Sequence, residues 1–235
     1  DVPVITSQGR SFPVAFKWLE KPLAKTIRYE AALADLVVRA AAETEGGLLV
    51  FLPGEGEIRR VETLLKPRLG PAYSIQPLYG AMPFSDQRTA IQPNHNLRKV
   101  VLATAIAETS LTIEDIRVVV DGGRARRARF DAGSGMSRLV TEKVTRAEAT
   151  QRAGRAGRVS DGTAYRLWSR GEEGGLQAYP PAEIEAADLA PLALELALWG
   201  TTATKLPFLT QPNAASLSEA QSLLQLLGAL DGTGQ

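Results

Sequence analysis

The 235-residue sequence has no cysteine and a single histidine, His95. Without thiols there is no disulfide, no thiolate metal site and no cysteine nucleophile, and one imidazole cannot build a metal cluster. His95 lies in Pro93-Asn94-His95-Asn96, a polar stretch that reads as a solvated loop, so metal-hydrolase and serine-triad chemistry are disfavoured. Long hydrophobic runs are also missing. Val118–Val120 and Leu189–Trp199, the latter broken by Glu195, are too short to cross a bilayer, and the N-terminus lacks a basic segment followed by an apolar one. The expectation is a cytoplasmic protein with no membrane partner. Two further patterns are absent: no Gly-x-x-x-x-Gly-Lys phosphate loop occurs, and no strand is followed by Asp-Glu-x-His.

What is present is an ordinary globular composition, 44% hydrophobic and 23% charged, on a chain long enough for one domain of about 150 residues and a smaller one. The net charge of +1 conceals an uneven distribution. Between Arg117 and Arg158 there are eleven Arg or Lys against four Asp or Glu, whereas 171–199 holds six acids and no base. A basic zone of that density suits phosphate-bearing partners, although composition alone fits a solvated face equally well.

Residues 2–19, with Arg10-Ser11-Phe12-Pro13-Val14, read as a first strand. Leu33, Leu36, Val37 and Ala40 predict an amphipathic helix over 24–42 that stops near Gly46-Gly47. Leu48–Leu52 is a short apolar run suited to a strand buried on both faces. The pattern repeats with a helix over 56–68, a strand 74–78, a helix 84–91, and strands 99–103 and 118–120. Such alternation predicts an α/β fold, a parallel sheet flanked by helices. Arg127–Phe130 and Ser137–Val144 then predict an inserted β-hairpin about Asp131-Ala132-Gly133-Ser134-Gly135, followed by a helix over 147–157 and a strand 163–167. Gly171–Pro181 reads as a boundary, dividing the chain into domains 1–170 and 171–235. Beyond it the pattern predicts helices over 187–199 and 216–227, with Ser216 or Ser218 as cap and Leu192, Leu196 and Trp199 as a core stripe. The final Gly-Thr-Gly-Gln resembles a turn lacking its next strand.

The sharpest chemical signal is Gln151-Arg152-Ala153-Gly154-Arg155-Ala156-Gly157-Arg158. A glycine in a helix costs about 1 kcal/mol relative to alanine, so two of them imply close packing against something. At helical spacing Gln151, Arg155 and Arg158 fall within roughly a 60° sector, while Arg152 points about 100° away from Gln151. An amide and two planar guanidiniums on one side suit charge that develops in phosphoryl transfer. A second segment, Ala103-Thr104-Ala105-Ile106-Ala107-Glu108-Thr109-Ser110-Leu111-Thr112-Ile113, follows a buried strand, where ligands gather in open α/β sheets. Its hydroxyls serve equally as turn and cap formers. Leu78-Tyr79-Gly80-Ala81-Met82-Pro83 ends another strand in a tight turn.

In this order, these segments resemble the second RecA-like lobe of the DEAH/RHA group of superfamily 2 ATP-dependent helicases, and within it the HrpB-type branch. Val50-Phe51-Leu52-Pro53-Gly54 with Glu57-Ile58 is similar to helicase motif IV, Ala103–Ile113 to motif V, and Gln151–Arg158 to motif VI. The resemblance implies a RecA-like lobe followed by the start of a winged-helix-like module over 171–235. It also implies ATP and Mg²⁺, both held mainly by an N-terminal RecA-like lobe in cis. Gln151, Arg155 and Arg158 would contact the terminal phosphates, with the arginines as fingers. Ser110, Thr112 and Glu114 would lie at the nucleotide. Thr104, Gly80 and the hairpin bases Arg127, Arg129 and Arg138 would meet single-stranded or duplex RNA, with DNA as the other candidate. Without the phosphate loop, the chain alone is expected to be inactive. Three departures stand out: Ala105 replaces the usual motif V asparagine, Glu114 the usual aspartate, and Ile91 the aromatic that eukaryotic relatives stack on adenine. Two other classes stay open, a non-catalytic nucleic-acid-binding module using the basic zone and an interaction scaffold built on the acidic helices.

Overall fold

The computed structural model describes residues 3, 4, 6, 12–94, 96–109, 113–131 and 133–231. His95 therefore lies outside the described residues, as does most of the stretch preceding Phe12. Six strands form one parallel sheet: β1 (Val14–Leu19), β2 (Gly47–Phe51), β3 (Tyr73–Leu78), β4 (Arg98–Ala103), β5 (Ile116–Asp121) and a last strand, Gly162–Ser169. Two strands between them, β6 (Arg124–Asp131) and β7 (Met136–Lys143), pair only with each other, so the last strand is β8. Spatial order in the large sheet is β1-β8-β5-β2-β4-β3, with the apolar β2 at the centre and every residue of it buried.

The period of two along these strands sorts the core into two faces. Leu48, Val50, Val100, Leu102, Val118 and Val120 pack on one side with helices α1 (Tyr29–Glu43) and α2 (Glu55–Leu69). Leu49, Phe51, Val101, Ala103, Val119 and Ala164 face the other way, against Ala90, Ala107, Ala153 and Ala156. The helices on that second face are α3 (Phe84–Ile91), α4 (Ile106–Thr109) and α5 (Arg146–Gly154). They meet the sheet through alanines, which lets their backbones approach it closely.

Several boundaries differ from the sequence reading, each for a local reason. Helix α1 begins at Tyr29 rather than near 24, because Ala24–Ile27 closes a turn, and the first buried side chains of the helix are Tyr29 and Ala32. Helix α5 starts with a capping box between Thr145 and Glu148 and stops at Gly154, three residues short of the expected end. There the chain turns so that Gly157 runs against Phe12, whose N–H donates to the Gly157 carbonyl at 2.8 Å. The short helices α4, α6 (Arg170–Glu173) and α7 (Glu183–Ala186) were not expected, and four-residue helices carry too little periodicity to register.

By packing, the chain divides into two compact units, Asp1–Arg126 with Thr141–Pro180, and Arg127–Val140 with Pro181–Gln235. The hairpin is thus shared: its root belongs to the sheet unit and its tip to the other. At the tip Gly135 takes a left-handed φ of 66°, and the Asp131 side chain accepts from Gly133 N–H at 3.2 Å. The second unit also contains α7, α8 (Ala190–Leu198), a 3₁₀ turn (Ala203–Lys205) and α9 (Ala214–Leu226), around Leu189, Ala193, Leu196, Ala220 and Leu224. Helix α9 is capped by Asn213, which accepts from Ala215 and Ser216 N–H, so neither Ser216 nor Ser218 is the cap. Of the expected core stripe, Leu196 is buried, but Trp199 closes α8 and is 72% exposed.

One side chain closes the C-terminal end of α1. Arg98 Nε donates to Gly46 O at 2.6 Å, Nη1 to Ala41 O at 2.6 Å and Nη2 to Thr44 Oγ1 at 3.1 Å. Carbonyls at a helix end have no partner within the helix, and a cation there also opposes the negative end of the helix dipole. Arg98→Ala is expected to lower stability by about 1.5–3 kcal/mol, the range for hydrogen bonds to a charged group, measured by urea or thermal unfolding.

Candidate nucleotide-facing site

The carboxyl ends of β4, β2 and β5 lie side by side. Leu52 N–H donates to Ala103 O at 2.8 Å, Gly122 N–H to Phe51 O at 3.1 Å and Thr104 N–H to Leu78 O at 3.1 Å. Strand β2 has β4 on one side and β5 on the other, so the winding direction reverses here, where open α/β sheets bind ligands.

Beneath this edge sits Arg152, at 1% exposure. Its Nε and Nη2 reach Glu108 Oε1 at 2.7 and 2.6 Å, and Nη1 reaches Asp121 Oδ1 at 2.9 Å and the Arg124 carbonyl at 3.2 Å. The guanidinium lies over the Phe51 ring, 5.0 Å from its centre. Two carboxylates hold Arg152 firmly protonated against its burial. Burial pushes the Glu108 carboxyl upward, and Arg152 opposes that shift. We take the charged pair as the resident state, because both carboxylates converge on a group that does not lose its proton.

With Arg152 turned inward, its neighbours turn outward. Gln151 and Arg158 are exposed, Arg155 is mostly buried, and the three line one open pocket of about 360 Å³ together with Glu108 and Gly154. They do so although the helix has ended: Arg155 is the C-cap of α5 and Arg158 follows the turn. The Arg155 guanidinium donates through Nη2 to the backbone carbonyl of Glu108. Its charged form is disfavoured first by burial and then by the nearby charge of Arg158, with the Glu108 carboxylate opposing both.

The two glycines of this segment have different reasons. A Cβ at Gly157 would stand 2.5 Å from the Phe12 carbonyl oxygen and 2.8 Å from a Val14 methyl, which is the close packing expected from the sequence. A Cβ at Gly154 would meet nothing within 4 Å, so packing does not account for it. Gly154 lines the pocket instead.

The other candidates are dispersed. Ser110 and Thr112 lie outside the described residues. Glu114 is exposed in the turn before β5 and does not line the pocket. Thr104, half-buried, and Gly80, exposed, lie just beyond the paired strand ends Leu78 and Ala103. Ala105 is exposed, whereas Ile91 packs on the second face of the core. Arg127, Arg129 and Arg138 are on the hairpin tip, in the other unit, where Arg138 lies 3.9 Å from Asp131. Among the described residues no group of three His, Asp or Glu could hold a metal ion. The sequence reading missed the role of Arg152. Helical spacing placed it off the Gln151 face, but its two acidic partners come from positions 44 and 31 residues away.

A parallel α/β lobe with this strand order, and an amide and two guanidiniums lining one pocket beside its carboxyl edge, is a RecA-like lobe. Residues 29–160, more than half of the chain, match the family described as the helicase conserved C-terminal domain. The chain belongs to that family, within the DEAH/RHA-type superfamily 2 helicases. It is 46% identical over 234 residues to the ATP-dependent RNA helicase HrpB of Escherichia coli K12, covering 99% of this chain and 29% of that protein. It is 38% identical over 256 residues to the human ATP-dependent RNA helicase DHX30, covering 97% of this chain and 21% of that one. A crystal structure of the E. coli DExH-box NTPase HrpB superimposes with a TM-score of 0.91 at 46% identity, over 98% of this chain and 28% of that one. The chain thus spans less than a third of the length of these relatives.

The glycine contrast is open to test. Gly157→Ala is expected to destabilise the lobe by about 1–3 kcal/mol through overpacking against backbone. Gly154→Ala is expected to leave stability unchanged or raise it by up to about 1 kcal/mol, as alanine favours the helix. Thermal unfolding of the two variants measures the difference.

Proposed function

We propose that this chain is the second RecA-like lobe of an ATP-dependent RNA helicase and supplies the arginine-finger side of its ATPase site. The observation that carries the reading is the single pocket lined by Gln151, Arg155 and Arg158, with Arg152 withdrawn into the core. A guanidinium presents a planar fork of donors to phosphate oxygens, and Gln151 adds a neutral donor that pure charge attraction would not require. The N-terminal lobe in cis would carry the phosphate loop and the acids that hold Mg²⁺. Closure of the two lobes on ATP would bring Arg155 and Arg158 to the γ-phosphate, where charge spreads over the equatorial oxygens during transfer. Ser110, Thr112 and Glu114 would stand near the same nucleotide.

On the RNA side, Thr104 and Gly80 are suited to the phosphate backbone, because both end adjacent strands and Gly80 leaves room for close approach. Arg127, Arg129 and Arg138 would add cationic contacts from the hairpin tip. The sugar-phosphate backbone is shared by RNA and DNA, so the RNA assignment follows the relatives' substrate. No described helix is long and apolar enough to cross a membrane. The segment 171–235 is read as the start of a winged-helix-like module, supported by its helices α7, α8 and α9.

In the full-length protein, Arg155→Ala is expected to lower RNA-stimulated ATP hydrolysis by about 10³- to 10⁵-fold, the loss typical of an arginine finger, and Gln151→Ala to lower it as well. The chain by itself is expected to show no turnover. Full-length protein whose hydrolysis is indifferent to both substitutions, but whose RNA binding weakens with salt, would instead favour a phosphate-tethering module.

A further inference from the structure

Three ties converge on the root of the β6–β7 hairpin. From motif VI, Arg152 donates to the carbonyl of Arg124, the first residue of β6. From β5, Asp121 accepts from both Arg152 Nη1 at 2.9 Å and the Gly123 N–H at 2.9 Å, and Gly123 returns a carbonyl to the Val144 N–H at 3.1 Å. From motif IV, Glu57 meets Arg126 at 3.3 Å, and the Arg126 guanidinium occupies the space where a side chain on Gly54 would stand. The Arg152 tie differs from the third in its buried ion pair: Arg152 and Asp121 are at 1% and 2% exposure, while Arg124, which offers only its carbonyl, is exposed. The other oxygen of Asp121 is buried with no hydrogen-bond partner, so its charge is balanced chiefly by Arg152.

We propose that Arg152 is a positioning residue that couples the nucleotide-facing end of α5 to the root of the hairpin, through Glu108, Asp121 and the Arg124 carbonyl. The inference rests on the nucleotide-facing reading of Gln151, Arg155 and Arg158. Gln151 precedes Arg152 directly on α5 and Arg155 is the C-cap three residues on, its N–H donating to the Arg152 carbonyl at 3.1 Å, so any shift that ATP imposes on them moves Arg152 as well. Arg152 cannot slide away from one carboxylate alone, because a buried charge left unpaired is strongly destabilising. Its planar fork fixes direction as well as distance. Displacement at the γ-phosphate side is therefore delivered to Arg124 and Gly123 rather than absorbed. From there the same two strands continue into the tip, Arg127–Val140, which packs with the helical unit. Glu108 belongs to both ends of the device, since its side chain holds Arg152 and its carbonyl accepts from Arg155.

Amide hydrogen exchange on the full-length protein, with and without a non-hydrolysable ATP analogue, tests the coupling. Protection is expected to change in α5 and, together with it, at residues 124–126 and 141–144. In Asp121→Asn, which keeps shape but removes one charge, α5 is expected to respond while the root falls silent. Duplex strands separated per ATP hydrolysed should drop by about 2- to 30-fold, the span of coupling changes along such networks. A wild-type protein in which α5 responds and the root does not would overturn the coupling and leave the nucleotide reading intact. Silence at both would overturn the nucleotide reading, and the coupling with it. A folded Asp121→Asn protein that matches wild type in both readouts also overturns the coupling. If that variant unfolds, the wild-type exchange pattern alone decides.

Discussion

A guanidinium at the base of a parallel sheet must be neutralised where it stands, and the surroundings of Arg152 follow from that requirement. Glu108 has to be on a helix that starts directly beyond β4, and Asp121 has to end β5, because only those two carboxyl ends flank β2 closely enough. The aromatic face of Phe51, at the end of β2 itself, covers the third side. Replacing such a network by apolar residues often costs nothing in stability, so burial of the charge is better explained by what it positions. With Arg152 fixed inward on α5, Gln151 is left on the outer side of the helix, at the pocket that the C-cap Arg155 also lines.

The second face of the sheet is thin for the same reason. Ala103, Ala107, Ala153, Ala156 and Ala164 meet there, whereas α1 and α2 cover the first face with leucine, valine and isoleucine. Small residues bring the α5 backbone close to the strands, which is what allows an arginine side chain on α5 to reach the end of β5. Gly157 extends the close approach past the helix, where the Phe12 carbonyl lies 2.5 Å from any Cβ built on it. A larger residue at either place would lift α5, and the ion network would lose its reach.

Much of this was legible from the residues. Leu48–Leu52 has no polar member and so reads as a strand buried on both faces, and the alternation of runs and helical faces argued for a parallel sheet. The hairpin announced itself through Asp131 and its glycines. What escaped was of two kinds. Helix ends depend on caps and on what the chain must do next: Asn213 outcompeted Ser216 and Ser218 because its side chain reaches two N–H groups at once, and α5 stopped short because Gly157 had to meet Phe12. The pairing of Arg152 with Glu108 and Asp121 was invisible for a different reason. Periodicity reports which face of a helix a residue occupies, and it says nothing about which distant strand end will stand opposite.

The basic zone between Arg117 and Arg158 shows how far charge density can mislead. Counted along the chain it looks like one phosphate-binding surface, yet its members serve separate ends. Arg152 is buried in a network of acids, Arg124 lies 4.1 Å from the centre of the Tyr29 ring, Arg126 is paired with Glu57, and Arg146 donates to the Leu176 carbonyl at 2.9 Å. Arg127, Arg129 and Arg138 fall in the helical unit, while Arg155 and Arg158 stand at the pocket. A surface evolved only to tether a polyanion would gain from keeping these charges on one exposed face, since each phosphate neutralised contributes separately. Here four of the nine arginines named are spent on holding α5, the hairpin root and the start of α2 in register, and those at the pocket are accompanied by a glutamine. That division fits a lobe whose charges must act at fixed positions and at particular moments better than one that simply attracts.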